Sequence, residues 1–404
     1  MTGVEFVSDG GVTSPKGFVA GGVYSGIKTS GPGKLDLGIL MSERPCLAVG
    51  TYTLNLIKSG SLVLTQERVE AGRVRAVVAS SGIANAVVEA GHRDAIELTD
   101  LAARHVGLDP DEMAVCTTGL IGVELPMALI RAGMPKVELT HGDGGDAFAR
   151  SILTTDRRAK SAAVRCEIDG HRITIGGCVK GSGMIHPNMA TMLAFLTTDA
   201  AVKPELLRSA LSEVVGETFN MVSVDGDSST NDTVLLFANG EAGNAPLNSE
   251  SPGAAAFTAA LRELSGHLCK ELVRDAEGSE RIFSVQVEEA ASRDDARAIA
   301  RTVASSSLVK SAIHGNDPNW GRVIAAAGRA GAAIEEKKIS FFINDVCLME
   351  HGLPISFHKE AIISIMNNPE VELTLRLGLG SSSAAAWGCE LTEGYVTFNS
   401  AYTT

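Results

Sequence analysis

The chain has 404 residues, of which 45% are hydrophobic, 21% charged and only 4% aromatic, and it carries a net charge of −13. These values fit a globular protein of one large or two ordinary domains, with a core of small and aliphatic side chains. They argue against a general nucleic-acid binder, which needs a basic face. No run approaches the ~18 apolar residues of a membrane span, and Met1-Thr-Gly-Val-Glu5 lacks the basic-then-apolar order of a signal peptide. The expectation is a cytosolic protein without nucleic-acid or membrane partners. Seven scattered cysteines, none in a Cys-x-x-Cys pair, read as reduced, mostly buried thiols. Nine histidines show no ligand spacing, so no metal site is expected.

Residues 1–45 are rich in Gly, Ser and Pro and read as short strands and turns. Arg75 to Gly82 is an apolar strand running into a glycine turn. Ala95, Leu98, Leu101, Ala102 and Val106 follow helical spacing, and Gly107 is the expected stop. A second strand, Met113 to Cys116, runs into Thr117-Thr118-Gly119, read as a glycine turn at a sheet edge. A glycine-rich helix start at 142–146 leads to Leu153-Thr154-Thr155-Asp156, and His171 to Gly176 alternates as a strand.

That strand delivers the chain to Lys180-Gly-Ser-Gly-Met-Ile-His-Pro-Asn-Met-Ala-Thr191, followed by the apolar run Met192 to Leu196. Gly181 and Gly183 permit tight turns or close approach, and Pro187 pushes His186 toward an extended conformation. A threonine entering an apolar strand from such a loop is placed for self-cleavage. Attack of the Thr191 hydroxyl on the Ala190 carbonyl would convert the peptide bond to an ester, and hydrolysis would leave Thr191 as a new N-terminus. Its α-amine, with an ordinary pKa of about 7.7–8.0, could then act as base for its own hydroxyl. From residue types alone, a glycine-rich loop entering a buried strand reads more readily as plain structure.

Beyond it, Pro204 opens an amphipathic helix carrying Leu207, Leu211 and Val214. Asp225 to Asp232 is a polar loop without the spacing of a calcium-binding loop, and Thr233 to Phe237 is a strand. Asn244 to Pro252 reads as an exposed loop. Phe283, Val285 and Val287 mark a strand, Arg293 to about Ala304 a helix, and Val371 to Leu379 a half-buried strand. The stretch from Leu391 onward reads as a strand with a short polar terminus. Mixed helices and strands throughout predict an α/β (α+β) layered protein.

The segment around Thr191 closely resembles the self-processing site of the ornithine acetyltransferase family of arginine biosynthesis. The likeness runs from Thr117 to Thr404 through Thr-Thr-Gly, Thr-Thr-Asp, Asp275-Ala-Glu-Gly278, Asn316-Asp-Pro-Asn-Trp-Gly-Arg322 and an Asn399-to-Thr404 ending, in the family's order. Two departures stand out. Ser80 to Gly91 differs from the family's usual Asn-Ser-Gly-x-Ala-Asn-Ala-Cys-Thr-Gly, and His186 replaces a smaller residue.

The resemblance implies a layered sandwich of the type shared with self-processing aminopeptidases. It implies cleavage between Ala190 and Thr191 into an α chain, 1–190, and a β chain, 191–404, assembled as α2β2. By resemblance, Thr191 is the nucleophile, and Thr118 and Gly119 form the oxyanion hole. Thr154, Lys180, Thr191, Glu277, Asn399 and Thr404 hold substrate. Residue types alone make Thr154 a helix-end hydroxyl, Lys180 an exposed charge, Glu277 a solvated residue before a glycine cap, and Asn399 and Thr404 frayed ends. The implied activity is ping-pong glutamate N-acetyltransfer from N-acetylornithine, with acetyl-CoA left open as a second donor and no cofactor. Two other classes stay open: a self-processing aminopeptidase or amidase, and a non-catalytic binding or structural protein. A phosphate-binding protein is disfavoured, because Lys180-Gly-Ser-Gly is not a Gly-x-x-x-x-Gly-Lys-Ser/Thr loop.

Overall fold

The computed structural model describes residues 3–29, 31, 33–186 and 192–401. Ala190, Thr191 and Thr404 therefore lie outside the described residues. Two sheets stack face to face. The larger takes its strands in the order Glu5–Phe6, Lys160–Ile168, His171–Lys180, Leu193–Thr198, Thr233–Ala238 and Leu47–Tyr52. The smaller is ordered Phe18–Val23, Leu37–Ser42, Ala76–Ile83 and Met113–Leu120.

Side chains alternate across a strand, and both faces of the larger sheet are covered. Leu193, Phe195, Leu235 and Phe237 meet Phe18, Leu40, Val77 and Ala114 of the smaller sheet in one core. Ala194, Leu196, Val234 and Leu236 pack on the opposite face against the helices Pro204–Glu217 and Ala254–Arg274. Burial on both faces is why these strands are continuous apolar runs. Each large side chain so enclosed contributes about 1.5–3 kcal/mol, and Phe195 adds an edge contact with Phe148, ring centroids 5.1 Å apart. The outer face of the smaller sheet is closed by the helix Gly91–Val106 through Ala95, Leu98 and Ala102. The result is a helix–sheet–sheet–helix sandwich.

A third, seven-stranded sheet is built around Ile282–Ala290, Glu370–Arg376 and Ser382–Cys389. It is covered by Arg293–Ala304, Ser307–His314, Trp320–Gly328 and Lys359–Met366. Among the described residues no helix is long and apolar enough to cross a membrane, and all seven cysteines are free.

Most expected elements fall where their patterns put them. Gly107 ends its helix in the left-handed region at φ 73°, Pro204 occupies the first helical turn, and Ser292 caps Arg293–Ala304 by accepting from the Asp295 amide. Three differ. Thr117, Thr118 and Gly119 are not a turn. They remain in the Met113–Leu120 strand, paired with Ser80, Ser81 and Gly82. The loop from Asn244 is pinned inward at Asn244 and Leu247, both buried. The chain end is a helix, Glu393–Ala401, and not a strand. Its Tyr, Val, Thr and Phe favour strands in isolation, but the Thr392 hydroxyl accepts from the Tyr395 amide at 3.1 Å and caps the first turn.

Candidate active site

One cavity of about 280 Å3 collects Thr118, Gly119, Thr154, Lys180, Glu277 and Asn399, together with Ser229 and Asn231. These residues come from six separate stretches of chain. All the substrate and oxyanion residues expected from the sequence and lying within the described residues are therefore neighbours.

The smaller sheet supplies Thr118 and Gly119. Gly119 has φ +130°, a backbone region that side chains avoid, and a Cβ there would collide with the Gly82 carbonyl carbon on the paired strand. Only glycine permits this approach of the two strands. Asn231 braces the same edge from across the cavity, donating to the carbonyls of Ala84 and Thr117 at 2.6 and 2.9 Å.

Lys180 ends the His171–Lys180 strand, and its side chain is buried, not exposed. Its ammonium donates to the Thr118 hydroxyl oxygen at 3.2 Å, which leaves that hydroxyl's own proton free to donate. Burial holds the Lys180 pKa below its ordinary value; Asp156, Asp232 and Glu277 pull it back up, while Lys160 opposes them.

Asp156 is the residue that organises this cation. Its carboxylate accepts from Lys160 at 2.6 Å, from the Gly181 amide at 2.7 Å and from the Thr154 amide at 3.0 Å. Burial alone would raise its pKa, but Lys160 and Lys180 more than offset that and bring it down to about 2. Lys160, itself buried, reaches Asp275 at 2.5 Å. Thr155 and Ser182 share a hydroxyl contact of 2.6 Å. The Thr154-Thr155-Asp156 stretch is thus fastened to Lys180-Gly181-Ser182 by two bonds.

The opposite wall is acidic. The Glu277 amide donates to the Ser182 carbonyl at 2.9 Å, and Asn399 of the terminal helix donates to the Glu277 carboxylate at 2.9 Å. Gly183 lets the Glu277 carboxylate sit against the backbone, since a Cβ there would push that carboxylate aside.

The polar loop 225–232 does more than connect. Asp225 accepts from the amides of Met184 and Ile185, at 2.6 and 2.9 Å, and from the Tyr395 hydroxyl at 3.2 Å. Asp232 accepts from the Met192 amide at 3.0 Å. One loop therefore holds the chain on both sides of residues 187–191. Burial pushes the Asp232 carboxyl well above its ordinary pKa, and one of its oxygens is buried without a hydrogen-bond partner among the described residues. The sequence reading missed Asp156, Lys160, Asn231, Asp225 and Asp232. Only Asp156 had a signal, its place in Thr-Thr-Asp.

The chain has recognisable relatives. A family model, the ArgJ family, matches residues 19–404. The "Arginine biosynthesis bifunctional protein ArgJ" of Symbiobacterium thermophilum is 48% identical over 397 residues, 98% of this chain and 99% of that one. The protein of the same name from Dehalococcoides mccartyi is 42% identical over 402 residues, 99% of each. A crystal structure of the arginine biosynthesis bifunctional protein from Bacillus halodurans superposes with a TM-score of 0.50 at 38% identity, covering 52% of this chain and 98% of that one. The chain belongs to the ArgJ family.

Proposed function

We propose that the protein is a glutamate N-acetyltransferase of arginine biosynthesis, moving acetyl from N-acetylornithine to glutamate through an acetyl-threonine at Thr191. The observation that carries this reading is the cavity itself. It combines an oxyanion-type hydroxyl and glycine amide, a buried lysine and a carboxylate–amide pair. Next to it, Met192, the neighbour of Thr191 in the chain, is fixed by Asp232. At about 280 Å3 it lies near the lower end of ligand cavities and matches an amino acid better than a peptide.

In the proposed cycle the Thr191 hydroxyl attacks the acetyl carbonyl and passes its proton to its own α-amine. Thr118 and the Gly119 amide donate to the resulting oxyanion. The C–N bond breaks, the α-amine returns the proton to the departing ornithine nitrogen, and acetyl remains as an ester. Glutamate then enters and its amine takes the acetyl group by the reverse sequence. Lys180 holds a substrate carboxylate, and Glu277, Asn399, Thr154 and Thr404 hold the rest. No metal or cofactor takes part.

The nucleophile requires cleavage between Ala190 and Thr191, giving chains 1–190 and 191–404 in an α2β2 assembly in the cytoplasm. The second piece would contain 214 of the 404 residues. The Bacillus halodurans chain, matched over 98% of its length by 52% of this one, is also a half-length chain.

The test is labelled acetyl-ornithine supplied without glutamate. The proposal expects one acetyl group on the 191–404 fragment, discharged to N-acetylglutamate when glutamate is added. Discharge to water at the same rate with or without glutamate would favour an amidase. Failure to label the fragment would contradict the mechanism. Acetyl-CoA as labelled donor in the same assay decides the second activity.

A further inference from the structure

A second cavity, about 500 Å3, borders the same strap of chain as the first: Gly183 and Met184 line the candidate active site, and His186 lines the other. Its remaining walls include Gly226, Arg301, Thr302, Ser305 and Arg329. The charge here is unlike that of the molecule. The chain as a whole is at −13, yet among the described residues neither Arg301 nor Arg329 has an ion-pair partner.

The same helix shows what a compensated arginine looks like. Arg293 pairs with Glu217. One turn on, Arg297 has a buried Nε with no hydrogen-bond partner among the described residues, and one turn further comes Arg301. Burial first, and then the like charge of Arg297, disfavour the Arg301 cation. Burial and Arg301 likewise disfavour a charged His186, with Asp227 as the acidic neighbour acting against them. Like charges one helical turn apart repel, and a half-buried guanidinium without a partner is costly. The arrangement becomes favourable when an anion enters.

We propose that this cavity binds a small molecule bearing a diphosphate. Two guanidinium forks match phosphate oxygens in bidentate geometry, and a single carboxylate would leave one of them unneutralised. The volume exceeds that of one phosphate group and leaves room for more of the ligand. Thr302 and Ser305 donate their hydroxyl protons to the carbonyls of Ala298 and Thr302, so they offer lone pairs to hydroxyl or amine groups of the same ligand. The proposal uses no residue of the acetyl-transfer machinery and stands or falls apart from it.

The experiment is calorimetric titration of the whole protein with inorganic pyrophosphate, beside Arg301→Gln and Arg329→Gln. The expected result is saturable binding, weakened roughly tenfold or more in each variant, since each removes a charge-assisted pair with the ligand. Arg329 is exposed, so its variant should melt with the parent and report on binding alone. Competition by coenzyme A would assign the site to a nucleotide-linked diphosphate. Pyrophosphate binding without such competition would assign it to a free phosphorylated metabolite. No pyrophosphate binding by the parent, or binding by both variants as tight as the parent's, overturns the proposal.

Discussion

At the scale of single residues, Lys180 is buried in the cavity, where burial disfavours its charge and Asp156, Asp232 and Glu277 favour it. Lys180→Met removes the charge while keeping most of the apolar stem. Loss of a charge-assisted contact of about 1.5–3 kcal/mol predicts a fall in kcat/KM of roughly ten- to a hundredfold, mostly in KM if the lysine binds substrate alike in ground and transition states. An unchanged kcat/KM would remove Lys180 from the site. Asp156 makes a pH prediction. Its carboxyl is held at about 2 against an ordinary 3.8, so the stability it contributes is present above the ordinary value and lost as pH falls toward about 2. At 1.36 kcal/mol per unit that is roughly 2 kcal/mol. Urea unfolding of Asp156→Asn between pH 5 and pH 2 (~3 units, spanning both values) should show a flatter acid limb than the parent. Asp232 has the opposite sign: with its carboxyl pushed up, its contribution is present at low pH and lost as pH rises through the folded value.

At the scale of elements, the loop 225–232 and the terminal helix Glu393–Ala401 position the chain around residues 187–191. Asp225 holds Met184 and Ile185 and is itself held by Tyr395. Asp225→Ala should slow self-cleavage at least tenfold, followed on denaturing gels of freshly made protein, because four donors, the amides of Met184, Ile185 and Asp227 and the Tyr395 hydroxyl, lose their acceptor at once. Cleavage at the parental rate would show that this anchor is dispensable. The terminal helix is tied down by the contact from Thr392 to the Gly278 carbonyl at 2.6 Å and by His314, 3.3 Å from Glu393. Glu393→Gln weakens only that second tie, and it should raise KM with little change in kcat.

These elements differ in how legible they were. The helix Gly91–Val106 was legible from its apolar spacing and glycine stop, and the doubly buried strands from their continuous apolar runs. The terminal helix was not, because its one stabilising cap, Thr392, outweighs a β-favouring composition only where the Gly278 turn lies beneath it. Thr117-Thr118-Gly119 was misread as a turn for a related reason. Its glycine serves a close strand pairing with Gly82, 37 residues away, which no local pattern records. The cavity residues were named through family motifs. Their supports, Lys160, Asn231 and Asp232, act across long separations and carry no local signature.

At the scale of the whole molecule, the sandwich brings the ends of strands from its two sheets together. Met113–Leu120 of the smaller sheet contributes Thr118 and Gly119, and His171–Lys180 of the larger contributes Lys180. The beginning of Leu193–Thr198 lies beside that lysine, since Leu193 pairs with Lys180. Removing a strand from the middle of the larger sheet would destroy both cores at once, so cleavage before Thr191 must leave both fragments in one folded body. The two pieces should therefore co-purify and separate only on denaturation.

The most direct test is intact mass of the purified protein beside Thr191→Ala. The account predicts two fragments in the parent, 1–190 and 191–404, the second beginning with an unblocked threonine, and a single 404-residue chain in the variant. A parent protein that stays whole, or a Thr191→Ala protein cut at the same bond, would contradict it.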